Sequence, residues 1–289
     1  MSRCIVTGHK GYIGSKLYEK LKNLGHEVLG IDLKDNCDVN SLQGLQEDTD
    51  GNFHPCWAEF NPEYIFHMAC FPRVGLSIEK PLETMKNNVL AGSTVLNFAR
   101  KNKVKRVIYS SSSSIAGNGS GPLSPYALQK MTTELECGLY SDLYNLDTVS
   151  LRYFNVYSKD QPADGAYATA ISNWMKYIRE NKIPFITGDG EQRRDMLHAD
   201  DAVDANIFAM KYENKFNGAV YDVGTGENIS LNEAKKIIKE HHPYIKFMYV
   251  PPRAGDAKIT LANTKELKKI GWSAKISIKH GLRTCFSSI

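Results

Sequence analysis

The sequence predicts an α/β fold, a Rossmann-type doubly wound parallel sheet followed by a smaller C-terminal α/β region, and three observations carry that expectation. Short apolar runs alternate with segments of helical periodicity through the first half of the 289 residues. A glycine-rich turn joins the first apolar run to the first helical segment. An aspartate closes the second apolar run, about 20 residues beyond that turn.

Taken in order, RCIVTG reads as a buried strand ending in glycine, and YIGSKLYEKLKNLG as a helix with a glycine stop. HEVLGID is a second strand and YIFHMA a third, followed by the helix LETMKNNVLAGSTVLNFARKN. RVIYSS, YALQKMTTELECGLYSDLY and DTVSLRYFNV continue the alternation as strand, helix and strand. Strands separated by helices of this length require parallel crossovers in a sheet covered on both faces. After residue 157 the pattern loosens. AYATAISNWMKYIREN, DDAVDANIFAMKY and LNEAKKIIKEHH are helical and AVYDVG strand-like, with PADG, GDGEQ, GTGEN and PPRAGD between them. The expected division is therefore residues 1–157 and residues 158–289, with some segments of the second region returning to the main sheet.

Composition narrows the function classes. Apolar content of 42% and charged content of 24% are those of an ordinary folded protein. The net charge of +4 is spread over 36 basic and 32 acidic residues without a basic block, which argues against a nucleic acid partner. Cys4, Cys37, Cys56, Cys70, Cys137 and Cys285 show no metal-type spacing, so they are expected to be reduced thiols and no metal is expected. The N-terminus turns glycine-rich too soon for a signal peptide, and no apolar run approaches the ~18 residues of a membrane span. The expectation is a cytoplasmic protein without a membrane partner.

In TGHKGYIG the glycines Gly8, Gly11 and Gly14 lie between strand and helix. There they allow a tight turn, close approach of the backbone to a pyrophosphate, and close helix packing, with the helix N-terminus facing the phosphates. Asp32 can accept from a ribose 2′-hydroxyl and would repel a 2′-phosphate, which favours NAD over NADP, although Lys34 stands close by.

YSSSSSIAGNGSGPLSPYALQK, residues 109–130, has the composition of a linker. It nevertheless follows a strand at the carboxyl end, where open parallel sheets bind ligands. Tyr126 and Lys130 stand four apart on one helix face, and an ammonium beside a phenol is expected to lower its pKa from ~10 and make it a base.

TGHKGYIG, Asp32, SSSSSIAG, YALQK and LRYFNVY together resemble the extended short-chain dehydrogenase/reductase superfamily. The likeness is to its NAD-dependent nucleotide-sugar epimerase/dehydratase branch, and there to the UDP-glucose and UDP-N-acetylglucosamine 4-epimerases. It runs nearly the whole chain, since GDGEQRRDMLHADDA, YDVGTGENISL and PPRAGDAK are similar to the branch's C-terminal motifs.

The resemblance implies Ser112, Tyr126 and Lys130 as catalytic residues, with Ser113 and Ser114 as the neighbours that could shift the register. For NAD it implies Tyr12 and Ile13 at the pyrophosphate, Asp38 and Val39 near adenine, and Met68, Ala69 and Cys70 along the pocket. Asn88, Ser110, Tyr153 and Phe154 complete that surface, with Tyr126 and Lys130. For a UDP-sugar it implies Ser112, Asn155, Arg194, Arg253 and Asp256, with Thr169, Ala170 and Trp174 at the diphosphate and base. A homodimer through helices around residues 87–101 and 126–144 is also implied.

Branch members that eliminate water carry an acid beside the catalytic hydroxyl, where this chain has serines, so C4 epimerisation through a transient 4-keto sugar is the expected reaction. The substrate would be UDP-glucose or UDP-galactose, a UDP-N-acetylhexosamine or a UDP-uronic acid. A 4-ketoreductase or dehydratase is the alternative within enzymes, and a non-catalytic NAD-binding regulator the alternative outside them. The chain departs from the branch in IAG for V-Y-G, NVYS for NVYG, a short insert between Gly117 and Pro125, and a short stretch from Asp32 to Asp38.

Overall fold

The computed structural model describes residues 1–41, 44–72, 74–117, 119–163, 169–252, 257–287 and 289. The main sheet contains β1 (Arg3–Thr7), β2 (Glu27–Ile31), β3 (Tyr64–His67), β4 (Arg106–Ser112) and β5 (Asp147–Tyr153). Beyond β5 come β6 (Phe185–Thr187), β7 (Arg193–Arg194), β8 (Ala219–Val223), β9 (Ile229–Ser230) and β10 (Met248–Val250). Six strands pair in parallel in the order β2-β1-β3-β4-β5-β8. The order reverses between β1 and β3, and a crevice opens there at the carboxyl ends of the strands.

Alternation along each strand sorts side chains onto two faces. Cys4, Val6, Phe66, Ile108 and Val149 pack with Leu17 and Leu21 of the Tyr12–Asn23 helix and with Ala202 and Ile207 of the Ala199–Lys211 helix. Ile5, Ile65, Val107 and Tyr109 face Val95, Leu96 and Phe98 of the Ala91–Lys101 helix and Cys137 of the Pro125–Tyr144 helix. Burying each such side chain contributes about 1.5–3 kcal/mol, so the sheet is held between two helical layers.

Between β2 and β3 the described chain forms a 3-10 turn, Leu33–Asp35, and one short helix, Pro55–Phe60. KDNCDVN has no apolar alternation with which to extend the sheet past β2. The long helix expected over LETMKNNVLAGSTVLNFARKN is present but not uniform: Pro81–Met85 and Ala91–Lys101 are α-helical, and Lys86–Leu90 between them is π-helical. The small β6–β10 and β7–β9 pairs were not legible, because strands of two or three residues are too short to show a period. A third core, built on Tyr157, Trp174, Met175, Leu231, Leu282 and Phe286, underlies them.

Candidate active site

At the crevice, Gly8 has φ +71°, and a Cβ there would stand 2.8 Å from the Ala69 Cα. A Cβ on Gly14 would run into the Gly8 carbonyl. These two glycines therefore hold strand, helix and the loop after β3 at backbone contact. The helix beginning at Tyr12 has no acidic residue in its first turn, so its N-terminal amides present an uncompensated positive end to the crevice. At the end of β2 the Asp32 carboxylate accepts from Lys10 N and Lys34 N, both at 2.9 Å, and the Lys34 ammonium donates to Lys10 O at 2.9 Å.

A cavity of about 410 Å³ runs from these glycines to Tyr153. Gly11, Ile13, Asp38, Val39, Met68, Ala69, Cys70, Ser110, Tyr126 and Lys130 line it, as do Cys37, Pro72 and Asn87, which sequence reasoning did not select. Two of the residues implied for this surface stand elsewhere. Asn88 is 2% exposed and turned into the protein. It accepts from Phe71 N at 2.7 Å and donates to Gln129 at 2.8 Å, bracing the loop after β3 against the Pro125–Tyr144 helix. The π turn at Lys86–Leu90 shifts the helical phase just here, so Asn87 rather than Asn88 meets the cavity. Phe154 faces a different cavity, described below.

Ser124 accepts from Ala127 N at 3.2 Å, Pro125 opens the helix, and Tyr126 N donates to Ser77 at 3.0 Å. That cap fixes where Tyr126 enters the site. Burial pushes the Tyr126 phenol above its usual value, nearby Cys70 adds to the rise, and a hydrogen bond with Ser112 opposes it. Lys130 is buried, donates to Ser110 O at 2.7 Å and lies 4.9 Å from the centre of the Tyr109 ring. The lowering of the Tyr126 pKa expected from Lys130 is thus not what the structure shows: the ammonium is engaged by a carbonyl, and desolvation of the phenol dominates.

His67 was not singled out from the sequence. It is 2% exposed, shares a 2.8 Å hydrogen bond with Thr7 and stacks on Tyr109 at 5.6 Å. Burial, assisted by the charge of Lys130, pushes it down to about 3, so no second cation forms beneath the site.

The serine run divides its work by register. Ser110 donates to Met68 Sδ at 2.6 Å, and Ser111 bonds Glu134, whose carboxylate also takes two hydrogen bonds from Arg152 at 2.8 and 2.6 Å. Ser112 is the serine that meets Tyr126. On its far side lies an open cavity of about 610 Å³, lined by Ser113, Ala116, Gly117, Arg152, Phe154, Asp222 and Thr260.

A third cavity, about 210 Å³, gathers Asn155, Thr169, Ala170, Trp174 and Arg194 with Phe185 and Thr187. Asn155, at φ +39°, donates to Asp195 O at 2.7 Å and Thr260 at 3.0 Å. Trp174 Nε1 donates to Phe185 O at 2.7 Å, which leaves its ring as a wall rather than a donor. Arg194 reaches the Arg193 carbonyl at 3.0 Å, while Arg193 itself is tied to Asn228 and Glu233. Wholly buried Asp195 accepts from Thr225 N, Thr225 Oγ1, Gly226 N and Ala262 N, and so joins the GTG turn to the wall of this cavity. Burial still raises its pKa against those bonds. Arg253 and Asp256 lie outside the described residues.

The chain matches the NAD dependent epimerase/dehydratase family over residues 4–224. It belongs to that family. A UDP-glucuronate 4-epimerase of Thermodesulfobacterium geofontis is 31% identical over 320 residues, covering 98% of this chain and 94% of that one. Among solved structures, the UDP-glucose 4-epimerase of Thermotoga maritima with UDP-glucose is similar at TM-score 0.85 and 28% identity, covering 98% of this chain and 97% of that one. A UDP-N-acetylglucosamine 4-epimerase of Methanobrevibacter ruminantium, in complex with UDP-N-acetylmuramic acid, is similar at TM-score 0.85 and 28% identity, with 99% and 97% covered. The family is NAD dependent, and the Gly8–Gly14 cradle, the unopposed helix N-terminus and the Asp32 carboxylate fit a dinucleotide. Among the described residues no group of His, Cys, Asp and Glu could hold a metal ion, and no helix is long and apolar enough to cross a membrane.

Proposed function

We propose that this family member inverts C4 of a UDP-hexose: UDP-glucose or UDP-galactose, a UDP-N-acetylhexosamine or a UDP-uronic acid. The observation that carries the reading is that Tyr126 stands beside Ser112 at the dinucleotide cavity, and that Ser112 belongs to a stretch, Ser110 to Gly117, with no carboxylate. Dehydration would need an acid at the leaving group, and Glu134 is held by Arg152 and Ser111.

In this proposal Tyr126 takes the proton of the sugar 4-hydroxyl, Ser112 hydrogen-bonds that oxygen, and Lys130 holds the end of β4 through Ser110 O. NAD, when bound, supplies the hydride acceptor and donor. The 4-keto sugar would turn over within the site and recover its proton from Tyr126. The cavity of Asn155, Thr169, Trp174 and Arg194 would take the nucleoside diphosphate, Arg194 offering a forked donor to phosphate.

The test is incubation with UDP-glucose, UDP-N-acetylglucosamine and UDP-glucuronate without added cofactor, read by proton NMR. Inversion of at least one at C4 is expected; if none is inverted, the reading fails.

We also propose a homodimer. On the Pro125–Tyr144 helix, Leu128, Leu135, Leu139 and Leu143 form one stripe opposite Tyr126 and Lys130, and Leu135 and Leu143 are 61% and 69% exposed. Leu82, Met85 and Leu90 continue the apolar surface on the neighbouring helix. Leu135→Glu with Leu139→Glu is expected to turn a dimer into a monomer in analytical ultracentrifugation, with helical circular dichroism unchanged. A monomeric parent protein would refute the proposal.

A further inference from the structure

Beyond the Tyr126–Ser112 pair, the serine run contains a third hydroxyl in line with it. Ser112 Oγ accepts two hydrogen bonds from the same residue: Ser114 N at 3.2 Å and Ser114 Oγ at 2.9 Å. A serine oxygen has two lone pairs and one proton. With both lone pairs engaged by Ser114, the proton is what Ser112 has left to offer.

We propose that Ser114 is a positioning residue, whose hydroxyl, by donating to Ser112, commits the single Ser112 proton to the side on which Tyr126 and the sugar oxygen stand. The inference rests on the epimerase reading for the identity of that oxygen, but not for the direction of the chain of hydroxyls. Ser112 stands beside the Tyr126 phenol, and a hydrogen bond donated to that oxygen favours the phenolate. A donor that can rotate into two or three other arrangements stabilises developing charge less than one held in place.

The backbone and side-chain contributions of Ser114 separate cleanly. Ser112 caps the Ser113–Ala116 turn through Ser114 N, and that bond survives loss of the Ser114 side chain. Ser114→Ala therefore removes the orienting hydroxyl and leaves the turn. Register supports the same division of labour: Ser113 lines the cavity on the other side of the strand end and takes no part.

The readout is the rate at which bound NAD is reduced on mixing with a UDP-sugar, followed by the absorbance of the reduced nicotinamide, together with C4 inversion by NMR and its pH profile. Ser114→Ala is expected to slow reduction and kcat about tenfold with KM unchanged. The acid limb of the kcat profile is expected to move to higher pH, because a phenolate that has lost a committed donor is harder to form. Ser114→Thr, which keeps the hydroxyl, should recover most of the rate, and Ser114→Val, its isostere without one, should not. A crystal structure of S114A should show an unchanged Ser113–Ala116 turn with Ser112 in more than one rotamer.

Wild-type rate and pH profile in S114A would overturn the proposal, as would equal loss in the threonine and valine variants, which would make size rather than the hydroxyl the cause. Should S114A not fold, the threonine and valine pair decides alone. Reduction of NAD without C4 inversion in the parent protein would sink the epimerase reading and still test Ser114, whereas absence of reduction by every sugar would remove both.

Discussion

Tyr126→Phe is expected to lower UDP-sugar inversion by about 10³-fold, the scale of a lost general base, while the purified protein keeps its NAD. The separation follows from geometry. Tyr126 lines the cavity beside Ser112, whereas the turn that would cradle the pyrophosphate is made by Gly8, Gly14 and the start of the Tyr12–Asn23 helix. The phenylalanine ring introduced by Y126F would still fill the space beside Cys70. Cofactor released on denaturation is the check: if NAD and activity disappear together, Tyr126 is a structural residue and the assignment of the base is wrong.

Arg106→Met is expected to destabilise the protein by about 3–5 kcal/mol, without altering any group at the site. Arg106 is 6% exposed, bonds Asp147 at 2.5 Å, and donates to Ala209 O, Tyr212 O and Asn214 O at 2.5, 2.8 and 2.8 Å. Its guanidinium also lies 4.6 Å from the centre of the Phe216 ring. One side chain thus satisfies the carbonyls at the end of the Ala199–Lys211 helix and clamps that helix to β4 and β5. Arg106→Lys should rescue little, since a single ammonium cannot reach this fork of acceptors. A thermal melt should fall by roughly 10 °C; a loss under about 1 kcal/mol in denaturant titration would show that the clamp contributes nothing net.

The main sheet and its helices were legible because each is long enough to show a period. Leu17 and Leu21, or Val95, Phe98 and Ala99, mark one helix face in the sequence and one core in the structure. The glycine loop was legible for another reason: positive φ and backbone contact leave little but glycine at Gly8. Asp195 and Arg106 were not found, since buried charges carry no pattern of their own. They look like any surface residue until the carbonyls and amides that satisfy them are assembled from distant parts of the chain.

By itself the sequence determined the alternation of strand and helix, the turn that receives a dinucleotide, and the pairing of Tyr126 with Lys130 on one helix face. All of these are short-range properties of backbone conformation and periodicity. Only the tertiary structure decided what each serine of residues 110–114 touches, because identical side chains differ solely in which face of β4 they leave from and what packs there. It decided likewise that Asn88 braces a loop instead of lining the cavity, and that burial rather than Lys130 governs the Tyr126 phenol. Hydrogen-bond direction and desolvation depend on neighbours far apart in sequence, and those neighbours exist only once the sheet has closed over them.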